Sequence, residues 1–249
     1  MIRVLSIGDL HGNNIWKQVV PRKNEFEKII FVADYLDSMD YKENDVLIRR
    51  AYTNDEIFQN LLEIIEFKKE NPELVELLIG NHDGSYFYFP RLFCQGFRAD
   101  AQPALNILFN DNKHLFKVAY QHKNYLWTHA GVTNKWLDEF KELAIKIALW
   151  DDSLPLADIL NMANETSLQE KLFQKSGKRM AYVETNQAGG IMWADRSETR
   201  EDNLDGYHQI CGHTSISRNT TIEHNGSSIT YIDSLHSEGG GFYELTIAD

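Results

Sequence analysis

Ile2-Arg3-Val4-Leu5-Ser6-Ile7-Gly8-Asp9-Leu10-His11-Gly12 is the stretch on which the reading of the chain turns. The apolar run 2–7 has the length and character of a buried strand, and it stops at a glycine-flanked turn. Asp9 and His11 stand two residues apart in that turn, with Gly8 and Gly12 around them. A backbone that bends at Gly8 brings a carboxylate and an imidazole together beyond the carboxyl end of the strand. Those two groups are suitable ligands for a divalent metal.

The pattern then repeats. Ile29-Ile30-Phe31-Val32 predicts a second buried strand, followed at once by Ala33-Asp34-Tyr35-Leu36-Asp37. The run 73–79 predicts a third, ending in Gly80-Asn81-His82-Asp83. Between them, 13–28 reads as a short helix and a loop, and 38–52 as a charged surface loop. Thr53 with Glu56 three residues on is a capping-box pattern, and it opens an amphipathic helix that Asn71-Pro72 stops. Strands alternating with helices, each strand ending in polar side chains, describe an α/β layer, and open α/β sheets place their sites at the carboxyl ends of strands.

Further along, 84–109 is rich in aromatic residues and is predicted to hold helices. A β-hairpin is predicted from 115–119 and 125–128, ending in Thr128-His129-Ala130-Gly131. A helix is predicted over 134–150, and 151–190 reads as helical in its middle, so that 134–190 is a candidate cap inserted into one domain spanning 1–249. The rest is predicted as β, at 209–211, 220–223, 228–233 and 242–247, with Asn225-Gly226 as a hairpin turn.

Composition narrows the class. Of 249 residues, 43% are hydrophobic and 25% charged, the usual balance of a soluble globular protein. A formal charge of −12 argues against a general nucleic-acid or anionic-membrane binder, which would show a basic stripe. It does not argue against an anionic substrate, because bound dications invert the local field. Two cysteines, Cys94 and Cys211, are too few for a disulfide framework and read as reduced thiols. The absence of a leader-like stretch or membrane-length apolar run makes a cytoplasmic protein the expectation.

The polar residues that follow the predicted strands form a set: Asp9 and His11, Asp34 and Asp37, Asn81 and His82, His129, and His213 in Cys211-Gly212-His213-Thr214. Two divalent ions sharing a bridging carboxylate would use such a set fully, and two-metal sites clamp phosphoryl groups during in-line displacement. The single amide fits, since a neutral oxygen ligand avoids accumulating charge that would repel a phosphate. The other histidines, His114, His122, His208, His224 and His236, lack ligand spacing and read as loop or surface residues.

Taken in order, Gly8-Asp9-Leu10-His11-Gly12, Asp34-Tyr35-Leu36-Asp37, Gly80-Asn81-His82-Asp83, His129-Ala130-Gly131 and Gly212-His213 resemble the successive motifs of the calcineurin-like metallophosphoesterases. They are most similar to the branch of the serine/threonine phosphatases and symmetrical diadenosine tetraphosphatases. Met192-Trp193-Ala194-Asp195 resembles the stretch that precedes the last histidine in those phosphatases, and Ile232-Asp233-Ser234 with Gly239-Gly240 resembles their final hairpin. The resemblance implies an α/β fold, α+β-like in four layers, with two mixed β-sheets sandwiched between helices and a dinuclear metal site at strand carboxyl ends. It implies that Asp9 and His11 hold one metal, that Asp34 bridges, and that Asn81, His129 and His213 complete the second. His82 would be the general acid, oriented by Asp37. The implied reaction is hydrolysis of phosphate monoesters or dinucleoside polyphosphates by direct attack of a metal-bridging hydroxide. The cofactors would be two divalent ions, with manganese favoured and iron, zinc, cobalt and nickel also compatible with the ligands.

Four positions depart from the family pattern. Ala33 stands where a glycine is usual, Ser38-Met39 replaces an arginine and glycine after Asp37, and Asp83 stands for a glutamate. The missing arginine is the family's phosphate grip, and Arg196, Arg91 and Arg98 are the candidate replacements. The expected partner is a small phosphorylated molecule or dinucleotide. A serine/threonine or tyrosine phosphoprotein phosphatase is the alternative within the same chemistry, and a non-catalytic metal-binding scaffold the alternative of another class.

Overall fold

The computed structural model describes residues 1–43, 46–180 and 187–248. The chain forms an α/β fold with two mixed five-stranded sheets, and it divides into two compact units: residues 1–116 with 243–249, and residues 117–242.

In the first unit, β1 (Ile2–Ile7) and β2 (Lys28–Phe31) pair in parallel, Val4 opposite Lys28 and Ile7 opposite Phe31. Next come the short antiparallel strands β3 (Tyr41–Glu43) and β4 (Val46–Arg49), and helix α1 (Asn54–Glu70). Strand β5 (Val75–Leu78) pairs in parallel with β2. The parallel strands are buried along their length, as sheets covered on both faces require, with Val4, Leu5, Ile7, Ile29, Ile30, Val75 and Leu77 all at 0% exposure. Helix α1 starts where the sequence places it. Thr53 Oγ1 accepts the Glu56 N–H at 3.2 Å and Glu56 Oε2 accepts the Thr53 N–H at 2.7 Å, so two of the helix's orphan donors are satisfied reciprocally. Its Ile57, Leu61, Ile64 and Ile65 side chains are buried. A 3₁₀ run over Ile15–Glu25 buries Trp16, whose indole donates to Asn60 of α1 at 2.8 Å. Helices α2 (Asn81–Phe87) and α3 (Gln102–Asp111) follow, joined by the tilted packing of Phe87 against Phe109. Strand β6 (Phe116–Lys117) closes one edge of the sheet.

The second unit begins with the hairpin of β7 (Ala119–His122) and β8 (Tyr125–Thr128), then α4 (Asn134–Lys146), α5 (Leu156–Ala163), α6 (Gln169–Leu172) and α7 (Arg196–Glu201). Strands β9 (His208–Cys211), β10 (Thr220–His224) and β11 (Ser227–Tyr231) complete a sheet of order β10-β11-β9-β8-β7. Its outer pairs are antiparallel, while β11 with β9 and β9 with β8 are parallel. Parallel β8 and β9 therefore end on the same side, and that is where His129 and His213 follow them. Asn161 of α5 ties the helix to the β7 edge by accepting from the Val118 and Ala119 amides and donating to the Ala119 carbonyl. The chain re-enters the first unit as β12 (Tyr243–Ile247), antiparallel to β1 with Ile2 opposite Ile247.

Several expectations are corrected. The segment 38–52 is not wholly a loop, because β3 and β4 lie in it; its positions 44 and 45 fall outside the described residues. The run Val46-Leu47-Ile48 has strand propensity that the surrounding charges conceal. The strand expected at 115–119 is two elements, β6 in the first sheet and β7 in the second, with Val118 between them. The helix from 134 ends at Lys146 rather than 150, where the chain turns away through Ala148 at φ +56. Residues 181–186 of the candidate cap lie outside the described residues. His208 is a strand residue, its Nδ1 within 2.9 Å of Ser228 Oγ. Among the described residues no helix is long and apolar enough to cross a membrane.

Candidate metal centre and catalytic dyad

Three strand ends of the first unit converge. The turn after β1 is laced to the turn after β2: the Asp34 carbonyl accepts from both the Leu10 and His11 amides, at 3.0 and 2.8 Å, and the Tyr35 carbonyl from Gly12 at 2.9 Å. Gly12 has φ +84, and a Cβ there would meet Ile57 and Tyr52 at 2.9 Å, so no other residue fits without displacement. His11, Ala33, Asp34 and Asp37 also adopt positive φ, an energetically costly backbone that clusters where function demands it.

The third strand end supplies α2 and its cap. Asp83, fully buried, accepts from the amides of Gly80, Asp34 and Tyr35 at 3.0, 2.8 and 2.9 Å. One carboxylate thus caps α2 and fixes the Asp34 turn. The shorter aspartate makes all of these bonds in the place of the family's glutamate.

Within this frame Asp9, Asp34, Asp37 and Asn81 are buried. His11 Nδ1 donates to the Leu36 carbonyl at 2.8 Å, which leaves its Nε2 as the basic nitrogen. Burial lowers the His11 pKa, against the raising influence of Asp34, and so favours the neutral ring that a metal requires. Asp34 Oδ1 accepts the His82 amide at 3.1 Å. His82 Nδ1 donates to Asp37 Oδ2 at 3.0 Å, and the other carboxylate oxygen receives the Tyr86 hydroxyl at 2.5 Å. Burial opposes the His82 charge, but Asp34 and the Asp37 hydrogen bond outweigh it and hold the pKa well above the usual imidazole range. Burial and then Asp37 raise the Tyr86 pKa, so the phenol stays protonated and donates.

Ligand atoms of His11, Asp34 and His82 all lie within 4.8 Å of one another. Asp9 is buried in the same turn as His11. Asn81 donates its Nδ2–H to Cys94 Sγ at 3.0 Å, which fixes which way the amide faces.

In the second unit, His129 Nε2 and His213 Nδ1 stand 3.1 Å apart, their rings edge to face. Two nitrogens on one ion at about 2.0–2.1 Å come to roughly 3.0–3.4 Å of each other, so this pair fits adjacent positions on a single metal. The Gly212 amide donates to the His129 carbonyl at 2.8 Å, and Trp193 packs its indole edge to face with His213 at 5.7 Å. The donor set fits divalent metals in both units. Its imidazoles are buried or half-buried, and in His11 the second ring nitrogen is held by a carbonyl, as metal-ligating histidines usually are.

No protein-family model matches the chain, and neither does any curated protein. Solved structures do. The cold-active protein-tyrosine phosphatase of a psychrophile, Shewanella sp., shares 16% identity over 98% of this chain and 75% of its own, with a TM-score of 0.56. A protein serine/threonine phosphatase from Saccharomyces cerevisiae with similarity to human phosphatase PP5 shares 14% over 96% of this chain and 70% of its own, at 0.52. By fold, the chain is similar to both of these phosphatases. The likeness covers nearly the whole length of this chain.

The candidate arginines are dispersed. Arg98 donates to the Ser38 carbonyl at 2.7 Å and to Asn54 Oδ1 at 2.8 Å. Arg91 lies over the Tyr88 ring at 5.9 Å, and Arg196 lies over the Tyr231 ring at 5.1 Å, just after Asp195, the cap of α7. Sequence reasoning missed Tyr86 and Cys94. Tyr86 had a signal, since it stands one helical turn after His82 on the same face of α2. Cys94 had none, because it reaches Asn81 from an irregular segment.

Proposed function

We propose that the protein is a dinuclear metal-dependent phosphoesterase that hydrolyses small phosphate monoesters or dinucleoside polyphosphates. The observation that carries this reading is the His82–Asp37 pair, held beside His11 and Asp34. A buried carboxylate on one nitrogen of a charged imidazole leaves the other N–H to donate, which is what a leaving alkoxide needs.

In this reading Asp9 and His11 hold one ion, Asp34 serves both, and Asn81, His129 and His213 hold the other, following the order of the sequence motifs. Bound divalent ions, most simply manganese, would polarise the phosphoryl oxygens and acidify the attacking water. The chain does the rest. Asp37 fixes the His82 tautomer, Tyr86 keeps the Asp37 carboxylate in place, and His82 Nε2 delivers the proton to the departing oxygen. Asn81 contributes a neutral oxygen, so that a phosphate dianion meets less negative charge. Arg91, Arg98 and Arg196 are the candidate arginines for gripping phosphate. Residues 134–190 serve as a cap, and the reduced cysteines suit a cytoplasmic location.

Phosphoprotein phosphatase activity is the second reading, supported by the likeness in fold to a protein-tyrosine and a protein serine/threonine phosphatase. Protein loaded with manganese, assayed on p-nitrophenyl phosphate, diadenosine tetraphosphate and phosphopeptides, separates the two. Inactivity on all three sinks both, and a folded protein that retains no metal supports the scaffold alternative instead.

A further inference from the structure

Three phenylalanines stand together on the irregular segment after α2. Phe89 and Phe97 are stacked, with ring centroids 5.6 Å apart and planes 3° from parallel. Phe93 packs on Phe97 at 4.8 Å and on Phe89 at 6.0 Å. Yet Phe93 is 60% exposed and Phe89 40% exposed. An isolated exposed phenylalanine needs no explanation, but a contiguous aromatic patch does.

This patch is fastened to the candidate site at several points. Cys94, next to Phe93, is the residue that receives the Asn81 amide. Gly96, next to Phe97, has its backbone against Asp37, where a Cβ would come within 3.4 Å of the Asp37 Cβ. Phe97 packs tilted against Tyr86 at 4.9 Å, the Tyr86 hydroxyl holds Asp37, and the Arg98 amide donates to that same hydroxyl at 2.8 Å. The exposed rings are thus continuous with the dyad that faces the leaving group.

We propose that Phe93, with Phe89 and Phe97, forms an aromatic subsite for the ester group, so that the substrate is an aryl phosphate whose ring stacks on Phe93. The inference rests on the phosphoesterase reading and names its substrate class. An apolar ring stacked on Phe93 completes a cluster that is otherwise left half-open to water, and Cys94 beside it ties that cluster to Asn81, the neighbour of His82. Ring stacking gains geometry-dependent attraction beyond area burial, so an alkyl ester of similar size gains less.

Phenylphosphonate and hexylphosphonate, which resist hydrolysis, report the subsite directly by calorimetric titration against the manganese-loaded protein. Phenyl phosphate hydrolysis in the same samples reports the activity. Wild type, Phe93→Ala, Phe93→Leu and Phe93→Tyr are compared, with thermal unfolding as the check that this exposed position leaves the fold intact. Wild type is expected to favour the phenyl ligand. Phe93→Ala and Phe93→Leu are expected to reduce the phenyl-to-hexyl preference by about two- to tenfold, and Phe93→Tyr to restore it. A preference that is the same in wild type and Phe93→Ala, or no binding of either phosphonate, overturns the subsite. A preference that responds to Phe93 with no hydrolysis of phenyl phosphate upholds the subsite and sinks the phosphoesterase reading instead.

Discussion

The carboxylate of Asp37 takes a bond on each oxygen: Oδ2 receives the N–H of His82 at 3.0 Å and Oδ1 the hydroxyl of Tyr86 at 2.5 Å. A carboxylate so anchored cannot swing away, and the imidazole it holds has one orientation and one tautomer. If His82 is the proton donor, its removal should cost most where the leaving group is most basic. His82→Asn is expected to lower kcat by about 10²–10⁴-fold on an alkyl phosphate and by much less on p-nitrophenyl phosphate, whose phenolate leaves without help. Asp37→Asn should show the same dependence with smaller losses. Equal losses on both substrates would mean that the pair positions substrate rather than protonating it.

Asp34 is tested by metal content. Its main-chain carbonyl closes the turn after β1, and those bonds survive in Asp34→Asn, so the fold should persist. Its carboxylate is assigned to both ions. Elemental analysis of manganese-loaded protein is expected to fall from near two equivalents per chain in wild type to one or fewer in the variant, with loss of hydrolysis. Full retention of metal would refute the bridging assignment.

The contact between Cys94 and Asn81 separates an acceptor from a mere space-filler. Cys94→Ser keeps a hydrogen-bond acceptor near the Asn81 amide, whereas Cys94→Val of similar size removes it. Groups that orient a metal ligand are typically worth about 10–100-fold in affinity, so manganese binding should weaken by that order in Cys94→Val and far less in Cys94→Ser. Equal affinities in both variants would assign the thiol to packing alone.

Ala33 carries φ +81, where an L side chain costs about 1–2 kcal/mol and a glycine nothing. Glycine also loses more chain entropy on folding, by about 0.4–1 kcal/mol. Ala33→Gly is therefore expected to stabilise the fold by roughly 0.5–1 kcal/mol, read as a higher urea midpoint. A lower midpoint would mean that the methyl group packs well enough to outweigh the strain.

The cap of α1 sets an acid dependence. The Arg50 guanidinium first, and then the Thr53 amide, hold the Glu56 carboxyl down to about 2. A carboxyl whose pKa is depressed in the folded state contributes stability above its unfolded pKa and loses it as pH falls through the folded value. The difference in urea midpoint between wild type and Glu56→Gln should be full at pH 6 and shrink as pH falls toward 2, measured without metal. A difference that does not change with pH would exclude the ionised carboxylate as its cause.

The candidate site was legible where polar residues stand in short motifs at strand ends. Asp9, His11, Asp34, Asn81, His129 and His213 each follow a buried strand, and hydrophobic runs locate such strands well. The cap of α1 was legible because Thr53 and Glu56 bond to each other across one turn. What failed was local pairing. The 115–119 run has no internal sign that the chain leaves one sheet at Lys117 and enters another at Ala119, since both halves are equally strand-like. The contacts of Cys94 and Arg98 arise from an irregular segment, where neither period nor spacing predicts what a side chain meets.

The pairing of β1 with β12 has a further consequence for biogenesis. The strand Ile2–Ile7 gains its partner on that side only when Tyr243–Ile247 has been made. The sheet of residues 117–242 contains only strands synthesised within that span, and it can close earlier. Throughout synthesis, then, the strand that leads into Asp9 and His11 presents an open edge, the kind of surface that pairs promiscuously with other chains. The turn with Asp9 and His11 is therefore made well before its sheet is sealed, which leaves the nascent chain exposed to mispairing at the strand that leads into the candidate site.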